Sequence, residues 1–234
     1  MKNNKIRELA KTYESVVKVV DKKAFEDEER AYGGVVRSVK GKLQEYLTEE
    51  IIKIAWTEVG GNESRLEINS KKQKIKIRRE YINKIEEIDI KNHILENITN
   101  YYYGLSIDKQ VFIDGKFVIG IECKAYTENA MIKRILVDFS LLKTNFPELH
   151  CYLFQLESQL GGDYCKLNKV AFGSTSTHTL MSYFPRVKLN IYTFLKGERK
   201  VDHPIHKFEY FKPLEISKIK GAINLLANDL NEFV

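Results

Sequence analysis

Two charged residues, Glu122 and Lys124, stand on either side of Cys123 at the end of an apolar stretch. The residues before them, 117–121, are apolar enough to form a core strand. Because side chains alternate between the faces of a strand, Glu122 and Lys124 should point the same way. Burying such a pair without purpose is costly. A carboxylate can bind a hard cation and an amine can stabilise negative charge, so this pair is where a functional interpretation begins.

The turn before this strand decides whether a second carboxylate joins the pair. Asp114-Gly115, between two apolar runs, predicts a β-hairpin. A two-residue turn would place Asp108 on the face opposite to the pair. A three-residue turn, with Gly115 in the left-handed conformation, would place Asp108 opposite Gly120 and diagonal to Glu122, about 7–8 Å away, where two carboxylates can share one cation. We predict the three-residue turn, with open space at Gly120 for a metal ion or a phosphate.

These residues carry a resemblance to a known family. Asp108, thirteen intervening residues and then Glu122-Cys123-Lys124, in the order strand, turn, strand and helix, resemble the PD-(D/E)xK nuclease signature, in particular that of type II restriction endonucleases. Ile107 stands where the family often has proline, which leaves Asp114 open as the alternative first acid. The resemblance implies an α/β fold with a mixed central β-sheet flanked by helices, the restriction-endonuclease-like core.

The resemblance also implies a chemistry and a cofactor. Mg²⁺ would be held by Asp108, Glu122 and the main-chain carbonyl of Cys123, and would lower the pKa of a bound water. Lys124 would orient that water and stabilise the charge that develops on the phosphate. The expected activity is that of a type II restriction enzyme on double-stranded DNA, acting as a homodimer whose two-fold symmetry matches a palindromic site.

A long helix is predicted at residues 35–56, where apolar residues recur at helical spacing. Glu45 on this helix is similar to a glutamate that, in some relatives, contributes to the metal site through water. It is therefore a fourth catalytic candidate. The alternative is a solvated helix carboxylate that pairs with Lys53.

Cations and polar side chains are the candidates for contact with DNA. Residues 158–182 change in character, and small polar residues around one histidine suit a loop that contacts bases or phosphates. A plain polar surface loop is the alternative. The DNA-binding candidates are Lys40, Lys42, Tyr126, Asn129, Lys133, Arg134, Ser174, Thr175, Ser176, Thr177 and His178.

Periodicity predicts the remaining elements. Residues 65–79 alternate Lys or Arg with Ile, which favours one strand with a basic face that either follows phosphates or guards a sheet edge. A strand at 149–157 follows a crossover helix and should be parallel to the strand of Glu122. Further helices are predicted at 1–34 with a break at Gly33-Gly34, at 81–101, at 127–143 with Thr127 as N-cap, and at 214–233, and a further strand at 187–195.

Length and composition set the outer limits. The 234 residues suit a single nuclease domain over 1–234, with a helical extension at 1–34 and a DNA-recognition loop region at 158–182. The net charge of +6 favours an anionic partner. No apolar run reaches the length of a bilayer, no export signal opens the chain, and three cysteines lack metal-ligand spacing. We therefore expect a cytoplasmic protein without a membrane partner and with free thiols.

Two other functions remain open at this point. A structure-selective repair or junction nuclease on the same core would show a basic patch without a sequence-reading loop. A catalytically inactive DNA-binding module would hold Asp108 away from Glu122 and Lys124. The histidines are scattered without the partners of a zinc site, and no phosphate-binding glycine loop or dinucleotide-binding glycine run is present.

Overall fold

The computed structural model describes residues 2–26, 32–161 and 174–234. Within these ranges the α-helices are α1 (Lys2–Glu26), α2 (Tyr32–Glu58), α3 (Arg79–Asn83), α4 (Ile88–Glu96), α5 (Asn129–Asn145), α6 (Thr175–Ser182) and α7 (Ile216–Leu230). The strands are β1 (Leu66–Asn69), β2 (Gln73–Lys76), β3 (Tyr102–Leu105), β4 (Lys109–Ile113), β5 (Lys116–Thr127), β6 (His150–Ser158) and β7 (Leu189–Thr193).

A mixed five-stranded sheet in the order β1-β4-β5-β6-β7 forms the centre of the fold. The first three strands pair antiparallel, whereas β5, β6 and β7 pair parallel. The predicted mixed sheet flanked by helices is confirmed, and so is the parallel pairing of the strand at 149–157 with the strand of Glu122.

Helices cover both faces of this sheet. On one face the apolar sides of α1, α2 and α7 bury a core that includes Trp56 and Phe154. On the other face α5 packs through Phe139 and Leu142, together with Ile75 of the small β2–β3 sheet. Apolar residues at helical spacing give α2, α5 and α7 the buried faces that hold them against the strands.

The β4–β5 hairpin differs from the predicted three-residue turn. Ile113 pairs with Lys116, so Asp114-Gly115 is a two-residue turn, and both residues have positive φ (50° and 77°). This is the type I′ geometry that Asp-Gly favours. The sequence prediction was wrong here because it did not weigh the tight turn together with a second irregularity further along the strand.

That second irregularity is a β-bulge, which moves the register of β5 by one residue. The ladder passes from Phe112–Phe117 to Val111–Ile119, so Val118 has no partner of its own in β4. The extra residue lets the consecutive Val118 and Ile119 both join the core on the α2 side. Lys109 then pairs with Ile121, and the next residue toward the N-terminus, Asp108, comes level with Glu122.

Gly120 is not the open space that the sequence predicted. It lies opposite Gln110, and a Cβ added to it would come within 2.9 Å of Cε1 of Phe139. The missing side chain therefore lets the α5 ring approach the strand.

Several predicted elements have other bounds. The stretch at 65–79 contains two strands in different sheets, β1 and β2, because the chain leaves the central sheet after Asn69. The predicted helix at 81–101 is broken into α3, α4 and a 3-10 turn, and Gly33-Gly34 lie inside α2 rather than ending a helix. Thr127 is the last residue of β5, and α5 begins two residues later.

The proposed loop region at 158–182 also needs correction. Residues 175–182 form α6, because Ser174 caps that helix by accepting a hydrogen bond from the Thr177 N–H. Residues 162–173, with Cys165, lie outside the described ranges, as do residues 27–31. In the described part of the chain, no helix combines the length and the apolar character needed to cross a membrane.

Candidate active site

Three side chains at the C-terminal half of β5 and the start of β4 meet at one point. The Lys124 Nζ donates a hydrogen bond to Asp108 Oδ2 at 2.8 Å and also donates to Glu122 Oε2. The Cys123 N–H donates to the same Asp108 oxygen at 2.8 Å. The predicted convergence of two acids and one amine is confirmed, although a tight turn plus a bulge produces it.

Glu122 lies in an unfavourable environment for a charged group. It is 7% exposed, and burial raises its pKa to about 7; the Lys124 ammonium opposes this rise, and the neighbouring Asp108 adds to it. Burial by itself would lower the pKa of Lys124, but the negative charges of Glu122 and Asp108 outweigh it and raise that pKa. The amine is therefore held as an ammonium between two acids that it cannot fully neutralise.

This arrangement fits a divalent cation. Two carboxylates that both reach one ammonium also reach one small cation placed between them, and oxygen ligands suit hard cations. The main-chain N–H and C=O of a strand residue point toward the same neighbour, so the Cys123 carbonyl shares the side on which its N–H meets Asp108. Among the described residues no three His, Cys, Asp or Glu side chains cluster, so main-chain oxygen and water would complete the coordination.

The side chain of Cys123 serves the core. Its Sγ donates a weak hydrogen bond to Thr48 Oγ1 of α2 at 3.3 Å, and burial raises the pKa of its thiol. The prediction that Cys123 points inward is confirmed. The thiol thus links β5 to α2.

Asp114, the alternative first acid, does not join the cluster. It lies at the exposed tip of the hairpin, where the Arg65 guanidinium donates to it at 2.8 Å and lowers the pKa of its carboxyl. The structure therefore brings Asp108, and not Asp114, to Glu122.

Glu45 lies half-buried on α2, and the described residues offer it no hydrogen bond or ion pair. The alternative pairing with Lys53 is not found, because Lys53 bonds Glu49 and Glu50 at 3.0 and 2.9 Å. Glu49 also accepts a hydrogen bond from Lys109 at 2.8 Å, which ties α2 to the residue next to Asp108. A role for Glu45 in catalysis stays a prediction.

The two lysines of α2 differ in exposure. Lys42 is exposed, whereas Lys40 is half-buried with its Nζ 3.4 Å from Nδ1 of His206. Burial lowers the pKa of Lys40 to about 8, the carboxylate of Glu157 opposes this, and the charge of Arg199 adds to it. Lys40 is thus less suited to phosphate contact than its neighbour.

On β5 and α5 the candidates divide between exposed and partnered side chains. Lys133 and Arg134 are exposed on α5, and the Arg199 guanidinium lies 3.9 Å from the centre of the Tyr126 ring. Asn129 instead binds inside the protein, since Thr177 Oγ1 donates to its Oδ1 at 2.6 Å.

The 174–178 group divides in the same way. The hydroxyl oxygens of Ser174 and Thr177 lie 2.9 Å apart, and both contact the side chain of Asn129 at the start of α5. Thr177 is fully buried. Thr175, Ser176 and His178 are exposed on α6. These three are therefore the members of the group that are accessible to DNA.

Two polar residues near the cluster escaped the sequence analysis. Asp138, the lone acid of α5, has its pKa raised by burial, which the charges of Arg134 and Lys124 partly offset. Gln155 pairs with Lys124 across the parallel β5–β6 ladder and is fully buried, donating to Thr193 Oγ1 at 2.9 Å. The available signals were an acid on the predicted helix at 127–143 and a glutamine within the apolar run of the predicted strand at 149–157.

The comparison with known proteins yields one relative of nearly equal length. The protein "Type II restriction enzyme DdeI" from Desulfomicrobium norvegicum (strain DSM 1741 / NCIMB 8310) is 55% identical over 234 residues, which covers 98% of both chains. This chain belongs to the type II restriction enzymes. As a restriction enzyme it is a site-specific endodeoxyribonuclease with DNA as its substrate. No family model matches the chain.

The geometry of the restriction enzyme's hairpin agrees with its family. The acid, acid and lysine of the PD-(D/E)xK pattern, which fits type II restriction enzymes, meet at one point. Enzymes of this type generally use a divalent metal ion, and the all-oxygen donors of the cluster suit one.

Proposed function

We propose that Asp108, Glu122 and Lys124 form the catalytic centre of this restriction enzyme and that its metal is Mg²⁺. The observation that carries the proposal is the Lys124 ammonium bonded to both acids at the point where β4 begins. Asp108 and Glu122, with the Cys123 carbonyl, would hold the ion. When bound, Mg²⁺ would supply charge neutralisation at the phosphodiester and a water of lowered pKa.

The residues of the chain divide the remaining work. The Cys123 N–H fixes the orientation of the Asp108 carboxylate by its 2.8 Å hydrogen bond. Lys124, held on the same strand face as Glu122, directs its ammonium at the attacking water and at the charge that develops on the phosphate oxygens. The charges of Glu122 and Asp108 raise the pKa of Lys124, and an ammonium at this position suits the stabilisation of negative charge on the phosphate.

The direct test is Lys124→Ala, assayed on plasmid DNA with Mg²⁺ and then with EDTA. Wild type should give discrete fragments with Mg²⁺ and intact plasmid with EDTA. The variant should lose at least about 10²- to 10³-fold in cleavage rate, the loss typical when one group that stabilises transition-state charge is removed, while its affinity for the DNA stays close to that of wild type.

The matched control is Lys116→Ala, which removes an exposed lysine from the other end of the same strand. It should cleave like wild type. Mg²⁺-dependent cleavage by Lys124→Ala at the wild-type rate would remove Lys124 from the mechanism.

We also propose that the enzyme acts as a homodimer in the cytoplasm. A two-fold symmetric pair matches a palindromic duplex site, and the DNA substrate lies inside the cell. Free, buried Cys123 and Cys151 agree with a reducing compartment. Sedimentation equilibrium should give twice the 27.3 kDa of one chain, and a single-chain mass with full activity would contradict the dimer.

A further inference from the structure

A wide groove lies between the small β2–β3 sheet and the C-terminal half of α5, with one wall from Tyr81 of α3. Its volume is about 1,300 Å³. This exceeds the roughly 300–1,000 Å³ of a typical small-molecule pocket. The groove therefore has room for an extended ligand.

The side chains of the groove have a one-sided charge. Its cations are Lys76, Arg78, Lys143 and Arg186, and none of the described residues that line it is Asp or Glu. Lys143 Nζ donates to the Pro147 carbonyl at 2.7 Å, which holds the amine at the groove wall without neutralising it. Arg78 pairs with Glu80 at 3.4 Å, whereas no ion pair is found for Lys76, Lys143 or Arg186 among the described residues. Such an excess of cations in a concave surface attracts an anionic ligand.

Exposed tyrosines are among the residues that line the same groove. Because side chains alternate along a strand, Tyr102 lies on the face of β3 that carries Lys74 and Lys76, and Tyr103 lies on the opposite face with Ile75. Tyr81, Tyr102 and Tyr103 are 60%, 46% and 58% exposed, and Tyr101 lies beside them. The Lys74 Nζ stands 4.4 Å from the centre of the Tyr102 ring. Exposed tyrosines among cations are the means by which proteins hold unpaired nucleic acid, with bases stacked on rings and phosphates on amines.

The groove adjoins the catalytic centre without including it. Strand β3 leads from the groove to the first acid, and Tyr103 is five residues before Asp108. Five extended residues span at most about 18 Å. A nucleic-acid strand bound at Tyr103 would therefore lie within about 18 Å of Asp108.

We propose that this groove is a second nucleic-acid site, which binds an unpaired stretch of strand. Its phosphates contact Lys76, Arg78, Lys143 and Arg186, and its bases stack on the exposed tyrosines. An intact duplex keeps its bases stacked inside, so it offers the groove phosphates alone. An acidic peptide would meet the cations but has no row of flat rings to match the tyrosines.

The experiment measures fluorescence anisotropy with the full-length protein in EDTA, where the DNA stays uncut. The probes are a short labelled single-stranded oligonucleotide, a blunt duplex of the same sequence and a labelled polyglutamate peptide. The first variant, Arg78→Glu with Lys143→Glu, should lower affinity for the single strand at least about tenfold. It should also flatten the salt dependence by about 1.4 in log–log slope, since each phosphate contact on single strands contributes about 0.7.

The second variant, Tyr102→Ala with Tyr103→Ala, tests the stacking. It should lower affinity for the single strand about tenfold or more, leave the salt slope unchanged and leave duplex affinity unchanged. Tyr102→Phe with Tyr103→Phe keeps the rings and should bind like wild type. Lys220→Glu, an exposed charge reversal on α7, is the matched control and should change nothing.

The proposal fails on any of three results. Equal losses for single strand and duplex in the alanine pair would mean that no bases stack there. Wild-type affinity for the single strand in that pair would mean that the tyrosines are not contacts. Tighter binding of polyglutamate than of the oligonucleotide would assign the groove to an acidic protein partner. Circular dichroism confirms the fold of each variant, and the phenylalanine pair separates a loss of rings from a loss of packing.

This test is separate from the test of catalysis. Asp108, Glu122 and Lys124 do not line the groove, so plasmid cleavage reports on one site and single-strand binding on the other. Either proposal can fail while the other stands.

Discussion

Two acid clusters lie at different places on the central sheet, and they differ in the balance of charge. In the proposed catalytic cluster two carboxylates, Asp108 and Glu122, share one lysine. In the second cluster one carboxylate, Asp229 of α7, receives both the Tyr152 hydroxyl and the His150 ring, whose Nδ1 lies 2.7 Å away. The first cluster has an excess of acid, whereas the second has an excess of donors.

The pKa directions follow this difference. Burial raises the pKa of Glu122, and one ammonium is not enough to reverse it. Burial would also raise the pKa of Asp229, but the bonds from His150 and Tyr152 outweigh it and lower that pKa. A carboxylate whose burial is outweighed by hydrogen-bond donors, like Asp229, is suited to a structural contact. A carboxylate whose burial is not outweighed by its one ammonium, like Glu122, is suited to binding a further cation.

The largest expected effect comes from Glu122→Gln. Cleavage with Mg²⁺ should fall by about 10²-fold or more, because the neutral amide is a poor ligand for a hard cation. The free energy of unfolding at pH 8 should change by less than about 1 kcal/mol, since the variant also removes a carboxylate that burial disfavours. Plasmid cleavage and chemical denaturation measure the two quantities.

A large loss of stability in Glu122→Gln together with retained cleavage would mean that Glu122 has a structural role and not a catalytic one. Lys116→Ala, on the same strand, serves again as the control for both measurements.

Asp229→Asn should show the opposite pattern. Cleavage should stay near that of wild type, while the free energy of unfolding should fall by about 1–3 kcal/mol, because the variant weakens two hydrogen bonds to a half-buried carboxylate. Urea denaturation measures the loss. Unchanged stability would show that the contacts of Asp229 with Tyr152 and His150 do not stabilise the packing of α7 against β6.

The contact between His150 and Asp229 should make the stability of the protein depend on pH. Hydrogen bonding to Asp229 raises the folded-state pKa of His150, burial opposes it, and the charge of Glu232 adds to the rise while that of Lys143 opposes it. A raised pKa means that this contribution is fully present below the unfolded value near 6.5 and is lost as pH rises through the folded value.

His150→Gln should therefore be less stable than wild type at pH 6, and the difference should shrink toward pH 9. Parallel denaturation curves at both pH values measure this. A difference that grows with pH would contradict the assignment.

The smallest effect is expected for Asp114→Asn at the tip of the hairpin. Asparagine also adopts the positive φ of a type I′ turn, and the ion pair with Arg65 is exposed, so the free energy of unfolding should change less than in any variant above. Cleavage should match wild type, whereas Asp108→Asn in the same assay should be inactive. Loss of cleavage in Asp114→Asn would restore it as the first acid.

Much of the site was predictable from local rules. The two-residue period of a strand places Glu122 and Lys124 on one face, and the apolar run before them predicts a core strand. The predicted face of Asp108 was right, but the predicted three-residue turn was wrong. The bulge at Val118 depends on which residues pack into the core on the α2 side. Such a choice is set by packing between distant segments and leaves no local signal.

Other misses have the same origin. The alternation at 65–79 is real, but a single periodicity cannot show that the chain changes sheets between β1 and β2. The polar residues at 174–178 suggested a loop, yet Ser174 caps a helix and Thr177 bonds Asn129, a residue far away in sequence. Polar composition alone does not distinguish a surface that meets a ligand from a contact between two helices.

The bulge at Val118 has a consequence for how this hairpin can change over time. Strand faces depend on whether the number of residues is odd or even, so loss of one residue here would exchange the sides of every group from Asp108 to the turn relative to Glu122. Insertions or deletions of two residues would preserve that parity. The number of residues in this segment should therefore be more constrained than their identities. Insertions and deletions that keep the site intact should involve two residues at a time.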